Sequence, residues 1–154
     1  MLKQNLMTAL RVSQMTAKRM IQQAAKAEDR HAPAGSIINL SSLSAQRVQR
    51  GLLGYAISAA AVEQMTRAMA VELAPKHIRV NAVAFGSVLS SSLQNALRET
   101  PDARDAIVAG TPLGRIAPAT ALPAIVAEPG AELPGRVEEL ELLGHARRVR
   151  GADH

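Results

Sequence analysis

Two residues in the middle of the chain carry hydroxyl groups that could take part in catalysis. Ser42 lies in a serine-rich loop just after a short run with β-branched residues, and Tyr55 follows thirteen residues later at the start of a helical pattern. Because a free tyrosine has a pKa of about 10, acid–base work near neutral pH would need a nearby group that stabilises the phenolate. The alternative is a generic βαβ unit in which Ser42 caps a loop and Tyr55 packs at a helix start.

The composition argues against several other kinds of site. The chain has no cysteine, which excludes disulfides and thiolate chemistry. Its four histidines are too scattered in sequence to indicate a metal cluster: His31, His77, His145 and His154. We therefore predict no metal site.

The charge and hydropathy patterns bear on nucleic-acid and membrane binding. The formal net charge is +5, but the basic residues are dispersed and aromatic residues that could stack on bases are almost absent. No apolar run approaches the roughly 18 residues needed to span a bilayer, and the N-terminus lacks the features of a signal peptide. We predict a soluble, cytoplasmic protein that binds neither nucleic acid nor membranes.

The chain alternates between helical and strand patterns. Apolar or small residues recur at helical spacing over residues 5–25, and a β-branched run over 36–40 ends in a serine-rich loop. A second helical pattern covers 55–74, where Pro75 closes it, and an alternating run over 78–84 predicts another strand. Helix, strand, helix and strand in this order predict an α/β fold, with a parallel sheet and flanking helices.

The sequence changes character after the second strand. Residues 87–109 hold loop residues and two short helical stretches, 93–98 and 102–108. From residue 118 onward, prolines recur among Ala, Gly, Glu and Arg, a composition that supports little packing. We predict one domain over residues 1–117 and a poorly ordered tail over 118–154.

Several longer motifs surround and follow the serine and the tyrosine. They read GSIINLSS at 35–42, YAISAAAV at 55–62, TRAMAVELAP at 66–75, IRVNAVA at 78–84 and TPLGR at 111–115. Together they resemble the C-terminal, active-site half of the short-chain dehydrogenase/reductase family. The resemblance implies a partial Rossmann-like fold that moves a hydride between a nicotinamide cofactor, NAD or NADP, and a small-molecule carbonyl or alcohol.

The resemblance also assigns catalytic roles to three residues. Tyr55 would exchange a proton with the substrate oxygen, and Ser42 would hydrogen-bond that oxygen. Asn5, at the start of the first helical pattern, sits where the family has a catalytic asparagine that helps hold a water relay.

The segment FGSVLS at 85–90 falls where the family usually has a loop at the nicotinamide end of the cofactor. By the resemblance, Gly86, Val88 and Ser90 contact the cofactor together with Tyr55. For Ser90, ordinary capping of a loop is an equally weighted alternative.

Two departures from the family pattern bear on activity. The family's lysine, four residues after the tyrosine, is Ala59 here, so the ammonium that would favour the phenolate and hold the cofactor ribose is absent. None of the ten glycines forms the G-x-x-x-G-x-G turn that receives a pyrophosphate at a helix N-terminus. We therefore expect the N-terminal cofactor-binding half to be missing and the isolated chain to be weakly active or inactive.

A catalytically inactive interaction module is the alternative function. By the resemblance, the helices over 5–25 and 55–74 correspond to those that pack across the family's common dimer interface. Through these helices the chain would form a homo-oligomer or bind a full-length relative.

Overall fold

The structure, a computed structural model, describes residues 1–27, 29, 32–100, 102–111, 113–121 and 147–149. This described part contains four α-helices: α1 at Thr8–Ala24, α2 at Leu53–Leu73, α3 at Ser91–Glu99 and α4 at Asp102–Ala109. A π-helical turn at Lys3–Met7 runs directly into α1. Short 3-10 helices lie at Leu43–Ala45, Ala74–Lys76 and Ala119–Ala121.

The strands of the described part form two small sheets. They are β1 at Gly35–Ser42, β2 at Ile78–Phe85, β3 at Val88–Leu89, β4 at Ala117–Pro118 and β5 at Arg147–Val149. One sheet has the order β1-β2-β5, and the other pairs β3 with β4 in parallel. The backbone N–H of Ala34 donates to the carbonyl of His77 at 2.9 Å. Since these residues directly precede β1 and β2, both strands start at the same end of the sheet, as parallel neighbours do.

The chain divides into two units, Met1–Ala84 with Arg148–His154, and Phe85–Arg147. In the first unit, α1 and α2 pack against β1 and against each other. The core cluster there consists of buried apolar residues from both helices and both long strands: Ala17, Ile37, Ala70, Ile78 and Val80. In the second unit, α3 contacts β3 and α4, and neither helix has a buried side chain among its described residues.

The structure confirms the predicted α/β class, with short parallel sheets and flanking helices. Both long helices and both long strands are present, but the predicted loop at Ser41 and Ser42 is wrong because β1 continues through Ser42. Serine by itself has little preference for strands. The Ser41 hydroxyl donates to the backbone carbonyl of Ala59 in α2, and this tertiary bond supports the longer strand.

The segment after residue 117 is only partly described. β4 joins Ala117 to Pro118 across the predicted domain boundary, and β5 adds a strand to the first sheet beside β2. Residues 122–146 lie outside the described residues, so the division into 1–117 and a poorly ordered 118–154 stays a prediction. Among the described residues, none of the helices combines the length and apolar character that crossing a bilayer requires.

Candidate active site

Tyr55 is the third residue of α2. The helix is rich in alanine, the residue with the highest helix propensity, and the preceding Gly51 has a φ of 80°, a left-handed value that favours glycine. Tyr55 is 36% exposed, and its hydroxyl makes no hydrogen bond to another residue that the structure describes. With respect to the described residues, the phenol is therefore accessible to a ligand.

Ser42 is the last residue of β1 and is buried. Its Oγ accepts a hydrogen bond from the backbone N–H of Ser44 at 3.2 Å and so caps the 3-10 helix that follows the strand. The hydroxyl proton of Ser42 is still available for donation. Because α2 packs against both β1 and this 3-10 helix, Ser42 and Tyr55 belong to elements that are in direct contact.

Asn5 lies in the π-helical turn before α1, and its side chain reaches α2. Its Nδ2 donates to Oγ of Ser58 at 3.1 Å, and the same Oγ donates to the backbone carbonyl of Tyr55 at 2.8 Å. Ser58 is fully buried. The fold therefore brings Asn5 to the helical turn that carries Tyr55, in a π-helical segment of the kind that often occurs at functional sites.

Ala59, the residue that the resemblance aligns with the family's lysine, is buried one helical turn after Tyr55. Its methyl group offers neither a charge nor a hydrogen-bond donor. Lys76, a cation beyond the other end of α2, is 21 residues from Tyr55, about 30 Å along the helix at about 1.5 Å per residue. Lys76 is too distant to replace the missing ammonium.

The three residues predicted to contact the cofactor beside Tyr55 lie in the second unit. Gly86 is in the connection between β2 and β3, and Val88 is in β3, paired with Ala117 of β4. Ser90 is the N-cap of α3, where its Oγ accepts a hydrogen bond from the backbone N–H of Leu93 at 3.3 Å. The capping role of Ser90 is thus present, and its hydroxyl proton is free for a further bond. Cofactor contact by these residues stays a prediction.

Sequence reasoning missed a buried polar network in the first unit. Ser13 Oγ donates to Oδ1 of Asn39, and Nδ2 of Asn39 donates to Oγ1 of Thr66, both at 3.0 Å. These bonds connect α1, β1 and α2 within the core. The available signal was Ser13 itself, a polar residue at a position that the helical spacing of residues 5–25 places on the apolar face.

Glu63 is a second residue that sequence reasoning did not single out. It is 5% exposed, and its Oε1 accepts hydrogen bonds from Oγ of Ser41 at 3.3 Å and from Nε2 of Gln46 at 3.5 Å. Its Oε2 lies 4.0 Å from Nη1 of Arg67. Seen in sequence, Glu63 and Arg67 form an ordinary i,i+4 surface pair, and this pattern conceals the burial of the carboxylate.

The described residues offer no metal centre. No group of three or more His, Asp or Glu side chains within them could hold a metal ion. The groups available at the candidate site are the Ser42 and Tyr55 hydroxyls and the Asn5 amide. These groups suit proton transfer and hydrogen bonding to an oxygen.

Comparison with known proteins gives the family. A model of the enoyl-(acyl carrier protein) reductase family matches residues 1–127. L-xylulose reductase of Bos taurus is 36% identical over 113 residues, which cover 73% of this chain and 43% of that protein.

Two solved structures share the fold. A short-chain type dehydrogenase/reductase from Mycobacterium marinum has a TM-score of 0.61 at 29% identity, covering 76% of this chain and 42% of that one. A 7α-hydroxysteroid dehydrogenase complexed with NADH and 7-oxo glycochenodeoxycholic acid has a TM-score of 0.69 at 26% identity, covering 80% and 44%. This chain spans less than half the length of these relatives. Because the family model covers most of its residues, the chain belongs to the short-chain dehydrogenase/reductase family.

Proposed function

We propose that the chain takes part in NAD(P)-dependent oxidoreduction of a small-molecule alcohol or carbonyl compound. The observation that carries this proposal is the exposed phenol of Tyr55, without a partner among the described residues, on a helix packed against the strand that ends at Ser42. A relative of the same fold is solved with NADH and 7-oxo glycochenodeoxycholic acid. We place the activity in the cytoplasm, a prediction that rests on the sequence.

The proposal also includes the residues that would contact the nicotinamide end of a cofactor. The Tyr55 hydroxyl has no hydrogen-bond partner among the described residues, and Ser90 keeps a hydroxyl proton after capping α3. By the family motif, these two residues would hold that end together with Gly86 and Val88. When bound, the cofactor supplies or accepts the hydride. The sequence has no glycine-rich turn for the pyrophosphate, so we expect the cofactor affinity of this chain to be low.

The chain's own residues have separate tasks in this proposal. Tyr55 exchanges a proton with the substrate oxygen, Ser42 donates a hydrogen bond to it, and Asn5 helps hold the water relay that supplies the proton. Ala59 contributes no positive charge beside Tyr55. We expect the loss of that charge to slow a step that depends on proton transfer by about 100-fold or more.

The test is a titration of the purified chain with NADH and NADPH, followed by nicotinamide fluorescence and by turnover of ketone substrates. We expect weak, saturable binding, and higher turnover in Ala59→Lys. Ala60→Lys is the matched control, since Ala60 is the exposed neighbour on the same helix. Tyr55→Phe should abolish the gained turnover. If no variant binds either cofactor or turns over substrate, the oxidoreductase proposal is wrong.

Self-association is the second candidate function, and a groove between α1 and α2 favours it. The groove has a volume of about 420 Å³ and an apolar floor formed by Leu10, Ala17, Ile21, Met69 and Leu73. Lys18 and Glu72, of opposite charge, also line the groove. In a twofold dimer, each copy could present Lys18 to Glu72 of the other.

Sedimentation equilibrium tests this second candidate. We expect a dimer that Lys18→Glu or Glu72→Lys alone weakens and that the double reversal restores, because the double variant recovers the opposite charges. A monomer at all concentrations, or loss of the dimer in the double variant, would contradict self-association through this groove.

A further inference from the structure

The carboxylate of Glu63 is buried although it plays no part in the proposed reaction. Removing a carboxylate from water costs free energy, so a buried carboxylate needs hydrogen-bond donors that offset this desolvation cost. Two side-chain donors, Ser41 Oγ and Gln46 Nε2, approach the same oxygen, Oε1. Arg67, whose side chain is 44% exposed, lies 4.0 Å from the other oxygen. Ser41 and Gln46 are therefore the contacts that hold the buried side of the carboxylate.

These two donors stand at the two ends of one short segment. Ser41 directly precedes Ser42, and Gln46 directly follows the 3-10 helix Leu43–Ala45. We refer to residues 41–46 as the serine turn. One carboxylate on α2 thus holds both ends of the turn that carries Ser42. The single Ser41 proton is shared between Glu63 Oε1 and the backbone carbonyl of Ala59, 3.2 Å from Oγ, so both of its acceptors lie on α2.

The helix that holds the serine turn is the helix that carries Tyr55. Glu63 follows Tyr55 by eight residues, about 12 Å along α2 at about 1.5 Å per residue. An α-helix keeps this spacing because every intervening backbone group is hydrogen-bonded. The bonds between Glu63 and the serine turn, which we call the clamp, therefore tie the segment of Ser42 to the helix that carries Tyr55.

We propose that Glu63 is a positioning residue, which holds the serine turn so that Ser42 and Tyr55 can address the same substrate oxygen. The proposal rests on the oxidoreductase function proposed above, but the clamp itself is a property of the chain without ligand. Glu63 touches neither substrate nor cofactor in this proposal and acts through Ser41 and Gln46. A glutamine at this position keeps an oxygen that can accept both bonds, whereas alanine removes the acceptor.

The test uses the bond between the Ser44 amide and Ser42 Oγ as a local reporter. Hydrogen exchange by NMR is measured at Ser44 and, for comparison, at Val80 in the core of the first unit. In Glu63→Ala we expect exchange at Ser44 to rise about tenfold or more while Val80 changes little, since only the serine turn opens more often. Glu63→Gln should retain most of the protection.

Gln64→Ala is the matched control, because it truncates a side chain of similar length at the exposed neighbouring position on the same helix. We expect it to leave Ser44 exchange unchanged. Parallel increases at Ser44 and Val80 in Glu63→Ala would show that Glu63 only stabilises the whole unit, and unchanged exchange at Ser44 would show that no clamp exists. Either result overturns the proposal. Should Glu63→Ala not fold, Ser41→Ala removes one donor of the clamp and is expected to raise Ser44 exchange selectively.

A second readout separates this proposal from the oxidoreductase function. In the Ala59→Lys background, Glu63→Ala should lower kcat about tenfold with the NADH dissociation constant unchanged, and Glu63→Gln should restore most of kcat. Equal loss in both Glu63 variants, or a loss confined to cofactor binding, would overturn positioning. If that background shows no turnover at all, the oxidoreductase proposal fails, while the exchange result still decides whether the clamp exists.

Discussion

The two units of the chain differ in how their helices are held. α2, in the first unit, buries side chains along its length, from Ser58 and Ala59 near its start to Ala70 near its end. α3 and α4, in the second unit, have no buried side chain among their described residues. The predicted catalytic residues lie on the tightly packed unit, and three of the predicted cofactor contacts lie on the other.

This difference in packing indicates how rigidly the predicted catalytic residues and the predicted cofactor contacts are held before a ligand binds. Without ligand, Asn5 is already hydrogen-bonded to the buried Ser58, and Ser42 accepts a bond from the backbone N–H of Ser44, as a preorganised site requires. Segments with few buried contacts open at low free-energy cost and gain most from ligand contacts. We expect the second unit to be the one that a cofactor stabilises.

The largest expected effect comes from removing core volume in the first unit. Ile78 is 2% exposed, and Ile78→Ala should lower the free energy of unfolding by about 2–5 kcal/mol, because a buried isoleucine leaves a cavity. Ile107→Ala, at a half-buried position of α4, is the matched control and should lower the free energy of unfolding by clearly less. Urea unfolding measures both. Equal losses would show that the two units are equally well packed.

Hydrogen exchange of the unmodified chain compares the units directly. Backbone amides around Val62 and Thr66 in α2 should exchange about 100-fold more slowly than those around Leu97 in α3, because buried helices open less often. The measurement needs only assigned amide resonances. Similar protection in the two helices would mean that burial does not control local stability here.

The hydrogen bonds among Ser13, Asn39 and Thr66 should contribute less to the free energy of unfolding than the apolar core does, but a measurable amount. Asn39→Ala leaves Ser13 and Thr66 without their shared partner, and we expect a loss of about 1–3 kcal/mol in the free energy of unfolding. Asn95→Ala, at an exposed position of α3, should change it by less than about 0.5 kcal/mol. A small loss at Asn39 would indicate that water satisfies these groups equally well.

The smallest expected effect concerns the cap of α3. Ser90→Ala should destabilise the second unit by about 1 kcal/mol, since the backbone N–H of Leu93 loses its acceptor. Ser90→Asn, which can cap, should retain stability, and Ser92→Ala at an exposed position of the same helix serves as the control. If Ser90→Asn is stable yet binds NADH less well, Ser90 both caps α3 and contacts the cofactor.

Local patterns were sufficient for the order of the elements. The helical spacing over 55–74 and the closing Pro75 predict α2 well, and Pro75 lies in the 3-10 helix that follows it. The end of β1 was predicted too early, since serine's weak strand preference is a local property and the bond from Ser41 to Ala59 is not. The burial of Glu63 could not be predicted for the same reason: an i,i+4 pair with Arg67 is typical of a helix surface, whereas its partners Ser41 and Gln46 lie outside α2.

The sequence by itself determined the family, and it carries the predictions that Ser42 and Tyr55 are motif residues and that Ala59 replaces the motif lysine. Motif identity and periodicity are local, so they can be read without coordinates. Only the tertiary structure decided that Asn5 bonds to Ser58, 53 residues away, and that a buried carboxylate holds the serine turn on the helix of Tyr55. Such contacts depend on how helices and strands pack, because burial and hydrogen-bond partners far apart in the chain are set by the packed arrangement and not by neighbouring residues.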